Sequence, residues 1–236
     1  MPPPAKRENL LLNLAFNIAI PSLILAKAST PERLGPVWGL IVALAFPVSY
    51  GLWDFVQRKQ ANFISIIGFS SVLLTGGLGL MQVNAFWFAV KEAAVPSIIG
   101  LAVWLSSYTS RPLVRQFLFN DQVLDVVKIE THLAEKGNRP QFQRLLISST
   151  YLLVLSFLVS AVLNFVLARW LLQSPPGSPE FNAELGKMNA LSWPVIVVPT
   201  MIITVYALWR LMKGIMNYTG LGFEELMHAD LKKDAN

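Results

Sequence analysis

Cysteine is absent from the 236 residues, and histidine occurs only at His132 and His228. Without cysteine there can be no disulfide framework, no thiol nucleophile and no thiolate metal ligand, although the redox compartment stays open. Two solitary histidines supply no ligand set at metal-binding spacing. Charge is scarce too: Asp, Glu, Lys and Arg make up 14% of the chain against 54% for hydrophobic residues, far from the balance of a soluble domain. Also missing are a nucleophile beside a base, a zinc signature and a dinucleotide fingerprint, and no loop has room for a soluble catalytic domain. The glycines of "LLTGGLGLM" are followed by no Lys-Ser or Lys-Thr and lie among apolar residues, which excludes a phosphate-binding loop. The chain therefore reads as non-enzymatic, with no cofactor and no metal.

What is present is a series of apolar runs. Six reach the roughly 17 to 25 residues that a helix needs to cross the hydrocarbon layer: 10–26, 36–56, 62–82, 85–108, 145–170 and 188–212. The expected fold is all-α, a polytopic membrane protein with six transmembrane helices in a single integral membrane domain over 1–236. Residues 1–108 hold the first four spans, 109–144 a cytoplasmic amphipathic loop, 145–213 the last two spans and 214–236 a cytoplasmic tail. Lys6, Arg7 and the Ala26-Lys27-Ala28 step give the first run a signal-peptide flavour. Its internal copy, described next, makes a retained span the better reading. Cations near span ends stay on the cytoplasmic side. With both termini inside, only Lys27, Arg33, Arg169 and Lys187 lie outside, Lys91 lies within a span, and all other Lys and Arg lie inside. The formal charge of +5 then calls for membrane lipids as partners, with no nucleic acid.

The phrase "AIPSLI" at 19–24 returns as "AVPSII" at 94–99, in spans one and four. An offset of three spans reverses direction through the membrane, so the two copies suggest a 3+3 inverted repeat with proline-broken helices one and four. "VSYGLWDFVQR" in span two and "VSAVLNFVLAR" in span five echo it, whereas spans three and six do not match, and short apolar words also recur by chance. Pro21 and Pro96 each remove a backbone donor and crowd the carbonyl four residues earlier, so each span is expected to kink or unwind there. Near the breaks stand Asn13, Asn17 and Ser22 in span one, and Lys91, Glu92 and Ser97 in span four. Asn13, Asn17, Pro21, Lys91, Glu92 and Pro96 thus form a candidate midplane ligand site. Helix-to-helix hydrogen bonding is the structural alternative for the asparagines.

Charges inside a span cost a few kcal/mol on the insertion scale, about +2.5 to +3.5 for Lys or Asp, and are usually functional. Lys91 lies roughly 9 Å along span four at about 1.5 Å per residue, within reach of the outer headgroups by snorkelling. Glu92, turned by about 100° from it, is expected to point inward, protonated or paired. Asp54 and Arg58 are spaced as a helical ion pair. Between spans four and five, Asn120 or Asp121 is expected to cap a helix through "QVLDVVKIETHLAEK" that ends at Gly137 and Pro140. Phe119, Val123, Val126, Val127 and Leu133 would lay one side of it on the cytoplasmic membrane surface.

The stretch "LWDFVQRKQANFISIIGFSSVLLTGGLGL", then Lys91 and Pro96, then "RPLVRQFL", and later "LNFVLARW" and "FNAELGK", resembles the bacterial intracellular septation protein A family and its uncharacterised six-span sister groups. The likeness runs from about Tyr50 to Lys213. The spacing of Lys91 from Pro96, Asp54 and the loop over 121–137 depart from that family's pattern, which makes the chain a divergent relative. The resemblance implies a bacterial inner-membrane protein serving envelope integrity or division through lipid, envelope or division-protein partners, or further copies of itself. It carries over no active-site residues. The alternative function is a small transporter or channel-like protein built around the midplane site.

Overall fold

The computed structural model describes residues 12, 15–58, 74–75, 77–109 and 124–227, with 54, 55, 57 and 58 described by backbone alone. The protein is all-helical. Among the described residues there is no strand, and the sole β feature is an isolated antiparallel bridge between Leu124 and Met227. A π-turn, Ala15–Ala19, leads into α1 (Ile20–Lys27), followed by α2 (Gly35–Arg58), α3 (Ala85–Ser106), α4 (Val126–Glu135), α5 (Arg139–Leu171) and α6 (Pro179–Ser192). A second π-turn, Trp193–Val197, joins α6 to α7 (Val198–Thr219), and α8 is a single turn, Phe223–Leu226.

Four stretches are long and apolar enough to cross a membrane: Gly35–Trp53, Ala85–Ser106, Arg139–Leu171 and Pro179–Thr219. Their most apolar windows are only 11% to 28% buried within the protein. A surface of that kind is paid for in water by aggregation, whereas lipid solvates it. These four stretches fit a membrane protein and coincide with expected spans two, four, five and six. The apolar helix Ala15–Lys27 is shorter than a span, and residues 62–73 of span three lie outside the described residues.

The chain divides into two compact units. One combines the described residues up to Val95 with Ala161–Val197; the other combines Pro96–Ser160 with the described residues from Val198 onward. In the first, Leu25 of α1, Leu40 and Ala43 of α2, Phe88 and Ala89 of α3, and Phe181 and Leu185 of α6 form one buried cluster with the end of α5. Phe88 meets Phe181 edge-on, with ring centroids 5.3 Å apart. The turn between the third run and α3 spans Met81–Asn84: Gln82 takes a φ of 53°, and Asn84 Oδ1 accepts from Phe86 N at 2.9 Å.

In the second unit, α4 corrects the expected loop helix in two respects. It starts at Val126, and its cap is Asp125, whose Oδ1 accepts from Lys128 N at 3.0 Å; Phe119, Asn120, Asp121 and Val123 lie outside the described residues. Its buried apolar face packs on protein. Ile129 and Leu133 are fully buried against Phe142, Leu145, Leu211, Ile215 and Leu226, with Val126 at the edge, while Val127 is 78% exposed. Adjacent helical residues point about 100° apart, so Val126 and Val127 cannot both face inward. Gly137, at φ 68°, ends the helix as expected, because a left-handed conformation is open to glycine. Further along this unit, Ser156 Oγ donates to Thr200 O at 3.0 Å and lies 3.1 Å from Thr204 Oγ1, joining α5 to α7 through small polar residues.

Candidate functional site

Lys91 and Glu92 sit two turns into α3, and they are a pair. Lys91 Nζ lies 2.6 Å from Glu92 Oε1 and donates to Thr75 Oγ1, also at 2.6 Å. The lysine side chain is only 9% exposed and the glutamate 22%. This corrects the expectation that Lys91 snorkels outward. The reason is Thr75, in the helical stretch that precedes α3: its hydroxyl gives the ammonium a second acceptor inside the protein, so the flexible stem folds toward it. Two charge-assisted hydrogen bonds replace part of the ammonium's hydration. Glu92 does pair with a cation, as anticipated.

Around Pro21 the structure shows how a broken helix is repaired. Proline removes the donor that would reach the carbonyl four residues back, which is Asn17 O. The chain answers with the π-turn Ala15–Ala19. In addition, Asn189 of α6 donates through Nδ2 to Asn17 O at 3.4 Å and to Ser22 Oγ at 3.2 Å. A side chain from a neighbouring helix thereby reaches the carbonyl to which Pro21 cannot donate. The helices come close enough for this because of Gly186. A β-carbon placed there would lie 2.8 Å from Ser22 O and 3.1 Å from Leu25 Cβ. One turn earlier, the buried Asn182 donates to Pro36 O at 2.6 Å.

The second π-turn, Trp193–Val197, ends two residues before Pro199, just as the first ends two residues before Pro21. At Pro96 the outcome differs: α3 runs as α-helix from Ala85 to Ser106 with no π-turn and no gap. One copy of the repeated phrase therefore breaks the α-ladder and the other does not. A single missing donor is tolerable where the surrounding helix keeps its bonds, and α2 likewise runs through Pro47.

Compared with known protein families, characterised proteins and solved structures, the chain matches none. Of the candidate residues, Lys91 joins Glu92 and Thr75, while Asn17 meets Asn189 beside Pro21. Pro96 opens the second unit, whereas the other described candidates belong to the first. Asn13 lies outside the described residues, as do the side chains of Asp54 and Arg58.

Sequence reasoning missed Thr75, Asn182, Gly186 and Asn189. The last three are findable, since offsets of four and three residues put them on one helical face, although Asn182 and Gly186 precede expected span six and Asn189 falls just inside it. It also missed Glu184, whose carboxylate accepts from Gln173 N at 2.9 Å, Ser174 N at 3.0 Å and Ser174 Oγ at 2.7 Å, closing the turn before α6. His132 Nδ1 lies 2.9 Å from its own helix's Lys128 O. Among the described residues no three His, Asp or Glu side chains gather as metal ligands.

Proposed function

We propose that this chain is a non-enzymatic, six-span protein of a bacterial inner membrane, with both termini cytoplasmic. In this reading it serves envelope integrity or division, in the manner of the septation protein A family, through lipid or protein partners. One observation carries the preference for a scaffold: the candidate polar residues Lys91, Glu92 and Asn17 are each engaged by other groups of the protein. Lys91 holds Glu92 and Thr75, and Asn189 holds Asn17 O and Ser22. A packed core uses its polar groups in this way, whereas a transport site keeps some of them for a solute.

A second reading, a small transporter or channel-like protein with a polar site beside a broken helix, draws support from the π-turn ahead of Pro21 and from the long 3.4 Å contact at Asn17. Such a contact exchanges readily for a ligand. Because the chain contains no native cysteine, single cysteines at Asn17 and at Glu92, probed with an impermeant thiol reagent from each side of the membrane, separate the two. Protection from both sides is the scaffold's expected result. Labelling of either position from both sides would replace it with alternating access.

A further inference from the structure

The second unit carries three cations whose surroundings define a ligand class. Leu145 of α5 packs on Gly214 of α7: a β-carbon on that glycine would lie 3.2 Å from Leu145 Cγ. This contact sets the register of the two helices, so the residues just before it, Arg144 and Lys213, stand at one level, with Arg210 a turn away. All three side chains are exposed. None is ion-paired among the described residues, where the pairs are Lys91 with Glu92, Lys128 with Glu225 and Arg139 with Glu130. Neither α5 nor α7 contains an Asp or Glu, so no carboxylate on either helix competes for these cations or repels an anion.

Next to the charges comes an aromatic layer. Lys213 Nζ lies 4.9 Å from the centroid of the Trp209 ring, and Trp209, 54% exposed, is 6.0 Å from Tyr206. About one to two turns beyond Arg210 the exposed surface of α7 is apolar, with Val205 and Ile202. The order cation, indole, aliphatic along one end of a helix pair repeats the order phosphate, glycerol, acyl chain of a phospholipid.

We propose that Arg144, Arg210 and Lys213, with Trp209, bind the headgroups of anionic phospholipids in preference to zwitterionic ones. This rests on α5 and α7 crossing the membrane and is independent of whether the protein is a scaffold or a transporter. The probe is full-length protein in phosphatidylcholine vesicles containing a minor fraction of brominated phosphatidylglycerol or, separately, brominated phosphatidylcholine. The readout is quenching of Trp209, taken as the difference from Trp209→Phe.

A cation near an anionic surface contributes about fivefold in affinity. With three such cations, phosphatidylglycerol should therefore quench at a fraction lower by about a hundredfold than phosphatidylcholine. That preference should shrink about fivefold in each of Arg144→Gln, Arg210→Gln and Lys213→Gln, vanish in the triple variant and weaken at high salt. Equal quenching by the two lipids in the unaltered protein would overturn the proposal, as would a preference that survives in the triple variant. Incorporation that resists alkaline carbonate is checked in the same vesicles. Its loss would refute the spanning helices, and the lipid site with them, which distinguishes that failure from failure of the site alone.

Discussion

Removing Glu92 tests whether the pair in α3 is held together as its geometry indicates. In Glu92→Ala, the Lys91 ammonium, 9% exposed, keeps Thr75 and loses its counter-charge. Stripping one partner from a fully buried pair costs about 3 to 5 kcal/mol. Glu92 is itself 22% exposed, so water reaches the site, and the surviving charged hydrogen bond to Thr75 retains about 1.5 kcal/mol or more. The expected cost is therefore about 2 to 3 kcal/mol. For a chain of this size that corresponds to a melting temperature lower by about 4 to 12 °C. Lys91→Met leaves a carboxylate that is 22% exposed and so partly hydrated, and should cost about 1 to 2 kcal/mol. The double variant contains no uncompensated charge and should come within about 1 kcal/mol of the original. Thermal and SDS-induced unfolding of the four proteins in one detergent, followed by circular dichroism, gives the coupling energy directly. A coupling below about 0.5 kcal/mol, or a double variant as unstable as Glu92→Ala, would refute the reasoning.

The helix contacts around Pro21 give a second expectation. Gly186→Ala forces a methyl against Ser22 O and should lower stability by about 1 to 3 kcal/mol in the same unfolding assay; an unchanged midpoint would mean that α1 and α6 are not packed as closely as 2.8 Å implies. Asn182→Ala leaves Pro36 O without its side-chain donor and should cost about 1 to 3 kcal/mol, more than Asn189→Ala, whose bonds are longer; the reverse ranking would contradict the measured distances. In the second unit, Leu133→Ala should cost about 2 to 5 kcal/mol and speed amide exchange throughout Val126–Glu135. Val127→Ala, at an exposed position, should do neither, and equal effects would show that the buried face has been misassigned. Asp125→Ala removes the cap of α4 and should cost about 1 kcal/mol, visible as faster exchange at Lys128 N while the helix centre stays protected.

Hydropathy located four of the six runs that the structure draws as long helices, because an apolar run of that length is a property of composition alone. The pairing of Lys91 with Glu92 was half legible: two opposite charges in one apolar run must be compensated, but the acceptor that draws the lysine inward comes from Thr75, sixteen residues earlier, and local spacing cannot supply it. The face of α4 was misjudged for a related reason. Val126 and Val127 are equally apolar, and only Phe142, Leu145, Leu211 and Ile215, from other helices, decide which of the two is covered.

By itself, the sequence determined the helical class, the need for an apolar surrounding, the positions where proline removes a donor and the absence of thiol chemistry. Each of these follows from residue identity and its immediate neighbours. Only the tertiary structure decided how each proline is accommodated. Pro21 lies behind a π-turn bridged by Asn189, while Pro96 sits in an unbroken α-helix. The words around them are nearly identical, and what differs is the neighbour available to accept or donate a hydrogen bond, a quantity set by packing between segments far apart in the chain.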